Sequence, residues 1–214
     1  MALDWIPTED GTVTLRHASG ETYNDLEGAM HTAFSAFAYG SGLLNVGERV
    51  RLLDIGFGLG LNATAAWATA QQIGAELDLV AIEPDKDILT VFDAWPAPFS
   101  VRNPREDIGK VLQGQQIKDL SVRMIHSPLD EALEQVRAGY HAILFDPWNP
   151  VMQPEMWEPA RLEALLERLL PGRSLVFRSP GDETIAALEA AGLPVERLDW
   201  PAGHGHSFRI QRSK

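Results

Sequence analysis

An α/β fold on a doubly wound, mostly parallel sheet is what this sequence predicts, and three observations carry it. From residue 50 onward, short apolar strands alternate with helical stretches, the pattern of a sheet covered on both faces. A glycine-rich turn joins the first of these strands to the first helix. The chain has 214 residues, 45% hydrophobic and 22% charged, enough for one good core but short of two ordinary domains.

The elements follow in order. Residues 51–55 are an apolar strand ending in glycines, and 63–73 are strong helix formers. The second strand is 77–82 and the third 121–125, followed by a helix over 130–137. A fourth strand, 141–145, is apolar except at its start, and an amphipathic helix over 161–170 is closed by Pro171 and Gly172. Residues 174–177 form the fifth strand, 182–191 a helix, and 195–199 with 207–211 a final antiparallel pair. The stretch 93–115 is the least readable, because Pro96, Pro98 and Pro104 exclude one long helix there. Ahead of the sheet, 1–46 reads as an N-terminal extension or cap on a main domain of 47–214. It holds a short strand at 12–16, a turn at 20–24 and a helix over 26–37 capped by Asn24 or Asp25.

Composition narrows the function classes. Without cysteine the chain has no disulfide framework, thiolate nucleophile or cysteine metal site. No run of 18 apolar residues is present, so no membrane span is expected. The first ten residues carry three acids and no basic cluster, which argues against a secretory signal and leaves the cytoplasm as the default. A net charge of −12 lowers the expectation of broad, non-specific nucleic-acid binding, which rests on basic patches.

The chemistry starts at the first strand-to-helix junction. Asp54-Ile55-Gly56-Phe57-Gly58-Leu59-Gly60-Leu61-Asn62 is a compact GxGxG. Glycines let the backbone turn sharply and approach a ligand closely, and the helix start beyond them presents free N–H groups. Glu83 ends the second strand 23 residues past Gly60, the place where an acid meets ribose hydroxyls. Dinucleotide folds favour GxGxxG; this shorter spacing resembles the nucleoside-binding loop of class I S-adenosylmethionine (SAM) dependent methyltransferases.

A second motif ends the fourth strand: Asp146-Pro147-Trp148-Asn149-Pro150. Ligands of open α/β sheets bind outside the carboxyl ends of the central strands, so Asp146 is expected in the same crevice as Gly58 and Glu83. A carboxylate there can hydrogen-bond an amine acceptor and take its proton, and Trp148 offers a flat face to a base or cation. Pro147 and Pro150 stiffen the turn. His204 and His206 stand at metal-ligand spacing without a nearby acid pair, so they read as a solvated turn and no metal is expected.

The stretch 146–157, DPWNPVMQPEMW, resembles the D-G-F-[AS]-P-x-x-N-P-[DE]-[ML]-W segment of the bacterial tRNA 5-methylaminomethyl-2-thiouridine methyltransferases. The loop GFGLGLN is similar to their GFGTGLN, and Gly20-Glu21-Thr22-Tyr23 with Glu27-Gly28-Ala29 resembles their G-E-x-Y-x-x-x-x-G-A. Leu170-Pro171-Gly172 and Ser179-Pro180-Gly181 fall where that family has R-P-G-G and S-A-G turns. The resemblance implies a Rossmann-like SAM domain, a divergent member of the family, and methylation of the aminomethyl group of a modified wobble uridine in tRNA. It implies SAM contacts by Gly56, Phe57, Gly58, Gly60, Asn62, Glu83, Ser127, Pro128 and Asp146, with Asp146 as the catalytic residue. An oxidoreductase partner would supply the aminomethyl intermediate. Four positions depart from the pattern. Ser127-Pro128 replaces a Gly-Asp that meets the adenine, losing that contact or moving it to Asp130. Pro147 replaces glycine, Met152 stands where many members carry lysine, and Gly203-His204-Gly205-His206 replaces a basic turn.

Two other readings stand beside this one. A methyl- or aminopropyltransferase acting on a small amine suits the acidity, since acidic sites attract cationic amines. A non-catalytic Rossmann-like partner subunit would explain the departures, but it sits poorly with three retained loop glycines, Glu83 and Asp146.

Overall fold

A computed structural model describes residues 4–178, 180–200 and 205–213. Ser179 of the expected Ser-Pro-Gly turn, and Gly203 and His204 of the final turn, lie outside the described residues. In chain order, β1 (Trp5–Pro7) and β2 (Val13–Leu15) pair as a separate antiparallel hairpin, and α1 (Ala29–Thr32) runs on into a π-helical stretch, Ala33–Tyr39. One half of the main sheet is wound by β3 (Arg49–Ile55), α2 (Leu61–Ile73), β4 (Glu76–Ile82), α3 (Ile88–Phe92), α4 (Phe99–Leu112) and β5 (Leu120–Ile125). The other half comes from α5 (Leu129–Glu134), β6 (Tyr140–Phe145), α6 (Pro159–Leu166), β7 (Leu169–Phe177) and α7 (Asp182–Ala190). β8 (Val195–Asp199) and β9 (His206–Gln211) close the edge.

The seven strands lie in the order β5-β4-β3-β6-β7-β9-β8, parallel from β5 to β7, with β9 antiparallel to both its neighbours. The chain winds outward from β3 through β4 to β5, then returns to the other side of β3 as β6. Connections diverge at the carboxyl ends of β3 and β6, which opens a crevice there. Period-two alternation splits the apolar strand residues between two cores. Leu53, Ile55, Ile143, Phe145 and Phe177 pack on one face with Leu162; Leu52, Ala142, Leu144 and Val176 pack on the other with Trp67. Phe37 and Leu43 join that second core, so the segment before β3 is bound to the sheet by shared apolar burial.

Four expectations change. The helix near residue 26 is capped by neither Asn24 nor Asp25. Its N-cap is Gly28, and Asp10 from the hairpin accepts the His31 N–H at 2.9 Å. Pro104 sits inside α4, where tertiary anchoring outweighs its intrinsic penalty. The buried Arg105 guanidinium donates to the carbonyls of Leu59 and Phe92 and lies 3.8 Å above the Phe92 ring. Burial lowers the Arg105 pKa to about 9. The helix expected over 130–137 ends at Glu134, with Pro128 as its N-cap. Lastly, α6 ends at Leu166, and 169–172 belong to β7 instead. Leu169 pairs with Tyr140, and the register then shifts so that Ser174 meets Ala142. Pro171 and Gly172 occupy that bulge rather than closing a helix.

Candidate active site

The glycine loop follows β3 and turns under the crevice. Gly56, Gly58 and Gly60 take φ of +82°, +50° and +73°, the left-handed region that favours glycine. At Gly56 a Cβ would sit 2.4 Å from the Asp146 carbonyl oxygen, so the loop and the end of β6 touch backbone to backbone. Gly60 is the N-cap of α2, and its Cβ would strike the Phe92 and Phe57 rings. It is a packing glycine and does not line the cleft.

That cleft encloses about 490 Å³ at the carboxyl ends of β3, β4 and β6. Gly56, Phe57, Gly58, Asn62, Glu83, Pro128 and Asp146 all line it, so the structure brings these expected residues together. Phe57 contributes from a buried position, its ring stacked on Phe92 with centroids 5.8 Å apart. Ser127 does not line the cleft; Leu129 and Asp130 follow Pro128 there. Asp130 is tied to Arg161 at 2.8 Å.

Glu83 is held from both sides. Its Oε2 accepts the Gly58 N–H at 2.9 Å and its Oε1 the Asp85 N–H at 3.0 Å. Burial raises its pKa against the opposing pull of those two backbone donors. Asp54, inside β3 and two residues before Gly56, is fully buried, and neither carboxylate oxygen has a hydrogen-bond partner among the described residues. Burial, then the charges of Asp146 and Glu83, hold its pKa well above the usual carboxylate range. Glu83 and Asp146 thus present two carboxylates to the cleft, with Asp54 buried beneath them.

Asp146 is fixed by two side chains. Asn62 Nδ2 donates to Oδ2 at 2.9 Å, and Arg178 Nε donates to Oδ1 at 2.8 Å. Burial works against the charge of Arg178, but the hydrogen-bonded Asp146 and the nearby Asp25 raise its pKa above the ordinary arginine value. Beyond Asp146 the chain makes the expected stiff turn. Asn149 Oδ1 accepts the Val151 and Met152 N–H groups, and Trp157 Nε1 donates to the Trp148 carbonyl at 2.9 Å. Trp148 packs with Tyr23 and His17 from the N-terminal segment, at centroid distances of 4.9 and 5.0 Å. Burial, then Asp85 and Glu83, push the Tyr23 pKa up to about 12, so its hydroxyl stays protonated.

A second cleft, about 580 Å³, lies on the far side of Asp146. Asn24, Asp146, Pro147, Trp148 and Arg178 form a wall common to both clefts. Trp200 and His206 stand deeper in the second one, and Glu21, Asp25 and Glu27 line it too. Tyr23, His17 and Arg178 carry no site role in the sequence reading. Arg178 could have been found there, since it directly follows a parallel strand, where such sheets place ligand contacts. Tyr23 lies within a resemblance motif but acquires its meaning only through contact with Trp148.

No family model matches the chain. Among curated relatives, the tRNA 5-methylaminomethyl-2-thiouridine biosynthesis bifunctional protein MnmC of Aromatoleum aromaticum is 27% identical over 206 residues, 89% of this chain and 32% of the relative. The protein of the same name from a Pseudomonas fluorescens strain is 32% identical over 183 residues, 78% of this chain and 27% of the relative. In three dimensions MNMC2 from Aquifex aeolicus superposes with a TM-score of 0.85 at 21% identity, over 98% of this chain and 70% of that one. In sequence the chain is similar to these MnmC relatives, and in fold to MNMC2. It spans about a third of the length of the MnmC relatives it matches. The fold is that of class I SAM-dependent methyltransferases. A SAM-dependent O-methyltransferase from Thermotoga maritima aligns with a TM-score of 0.51 at 14% identity, over 82% of this chain and 64% of that one.

Proposed function

We propose that this chain is a SAM-dependent N-methyltransferase acting on the aminomethyl group of a modified wobble uridine in tRNA. The observation that carries the reading is Asp146, held by Asn62 and Arg178 on the wall between two clefts. The first cleft suits the methyl donor, because Glu83 faces it for ribose hydroxyls and the carboxylates of Glu83 and Asp146 suit a sulfonium and an ammonium. When bound, SAM supplies an electrophilic methyl carbon on a cationic sulfur.

The residues do the rest. Asp146 accepts a hydrogen bond from the acceptor amine and aims its lone pair across the wall, an orientation worth a large part of the rate. Bound there, SAM would supply this methyl carbon to the acceptor nitrogen, its sulfur leaving as a thioether with the carbon–sulfur electron pair. The methylated ammonium then releases one proton, to Asp146 or to water. Trp148 offers its ring face to the pyrimidine, and residues 1–46 serve as a cap that completes both clefts through Tyr23, His17 and Asp25. An oxidoreductase would act one step earlier to free the aminomethyl group. The relatives' name, bifunctional, and their greater length fit a second activity in those proteins.

The acidic lining of the second cleft, Glu21, Asp25 and Glu27, favours one alternative acceptor, a small cationic amine. A probable spermidine synthase from Corynebacterium glutamicum has a similar fold, with a TM-score of 0.58 at 15% identity over 99% of this chain and 76% of that one. One experiment separates the two. Titrate SAM calorimetrically, then follow methyl transfer to undermodified tRNA beside a set of free amines. Transfer to tRNA supports the proposal, and transfer to free amines alone replaces it with the alternative. No SAM binding removes both.

A further inference from the structure

The wall between the clefts carries a guanidinium with unused donors. Arg178 gives Nε to Asp146 Oδ1 at 2.8 Å, while Nη1 and Nη2 make no hydrogen bond among the described residues. Its side chain keeps 29% exposure where Asp146 keeps 8%, and it lines both clefts. An arginine needed only to neutralise Asp146 would be expected to meet the carboxylate with both arms of its fork, the bidentate arrangement such pairs often adopt. Here one arm is engaged and the terminal donors stand beside the place where the acceptor amine must sit.

We propose that Arg178 reads the acceptor ring, its terminal N–H groups donating to a ring carbonyl adjacent to the aminomethyl carbon while Asp146 accepts from the amine. The inference rests on the methyl-transfer reading above and names the feature of the acceptor that the site recognises. On a 5-aminomethylated pyrimidine, the carbonyl oxygen and the methylene that bears the amine hang from neighbouring ring carbons, so oxygen and nitrogen stand roughly 3 Å apart when both face the same partner. The Arg178–Asp146 pair, joined Nε to Oδ1 at 2.8 Å, presents terminal donors and a carboxylate acceptor on one wall. Trp148, on the same wall, supplies the flat surface that sets the ring plane. A simple alkyl or benzylic amine satisfies Asp146 and leaves Arg178 unused, so the pair separates a ring bearing the carbonyl from amines that lack it. The pair therefore favours the carbonyl-bearing ring, because an acceptor without it leaves the charged terminal donors without a partner.

The test compares two acceptors on three proteins. 5-Aminomethyluridine carries the adjacent carbonyl, and benzylamine has the ring and the aminomethyl group without it. Binding of each is measured calorimetrically in the presence of S-adenosylhomocysteine, and methyl transfer by single turnover, for wild type, Arg178→Gln and Arg178→Lys. Wild type should bind and methylate the nucleoside in preference to benzylamine. Arg178→Gln should weaken nucleoside binding by about 10- to 100-fold, the range for a hydrogen bond from a charged donor, and benzylamine binding by less than about threefold. Arg178→Lys, which keeps one charged donor, should recover part of the loss, and S-adenosylhomocysteine affinity should stay level in both variants. Equal losses for the two acceptors would reduce Arg178 to a support for Asp146 and overturn the proposal. Should a variant fail to fold, the wild-type preference decides alone: equal affinity for both acceptors overturns it. Wild type that methylates benzylamine but not the nucleoside sinks the carbonyl reading and spares methyl transfer. Wild type that methylates neither sinks both.

Discussion

The two sides of Asp146 are built in opposite ways. On the cofactor side, the loop 54–62 and Glu83 come from one strand-turn-helix-strand unit, and the Gly58 N–H meets Glu83 across 25 residues. On the acceptor side, Glu21, Asp25, Trp148, Arg178, Trp200 and His206 come from five separate parts of the chain. The first wall is a local construction, set within one stretch of chain. Long-range packing assembles the second, so substitutions in the N-terminal segment and at strand ends can reshape it while the glycine loop stays as it is.

The sharpest way to break this contrast is at the shared residue. Asp146→Asn should slow single-turnover methyl transfer by about 100-fold or more while SAM affinity moves by less than about threefold. Wild-type rates at saturating SAM would mean that Asp146 does not act on the acceptor. Gly56→Ala comes next. It forces a Cβ to within 2.4 Å of the Asp146 carbonyl oxygen at φ +82°, so urea denaturation should report a loss beyond the backbone strain of about 1–3 kcal/mol. Gly114→Ala, at φ +87° with nothing within 4 Å, shows the strain alone. Equal losses in the two variants would deny the backbone contact between loop and β6.

Glu83→Ala should weaken SAM binding by about 1–3 kcal/mol through two lost ribose hydrogen bonds; unchanged affinity would take Glu83 out of the site. Asp54 sharpens the electrostatic half of the comparison. Its folded carboxyl titrates well above the 3.8 of the open chain. The native state therefore binds a proton that the unfolded state has released, and stability falls as pH rises through that window. Asp54→Asn should melt higher than wild type at about pH 7, and the gap should close toward about pH 4. A gap of constant size would show that the carboxylate is relieved by something else. Smallest of all is the salt effect. The two arginines lining the first cleft, Arg161 and Arg178, are both engaged by acids, so tRNA binding should show a shallow salt slope. A slope on the order of six or more would reveal a basic surface built from residues distant in sequence.

Sequence by itself determined the sheet and the wall of the first cleft. Strand periodicity, glycines that must take positive φ, and an acid at a strand end are local properties, each set by steric or hydrophobic rules acting within one short stretch. Asp146 was legible for the same reason, as the residue where a buried strand meets the crevice. Only the tertiary structure decided that Gly60 packs on Phe92 rather than facing a ligand, and that Ser127 stays off the cleft lining. It also decided that Pro104 lies within a helix anchored by the buried Arg105. The pairing of Asp146 with Arg178 and the packing of Tyr23 on Trp148 bridge 32 residues in one case and the whole first half of the sheet in the other. Such contacts depend on which strand ends the winding of the sheet brings side by side, and no local propensity encodes that.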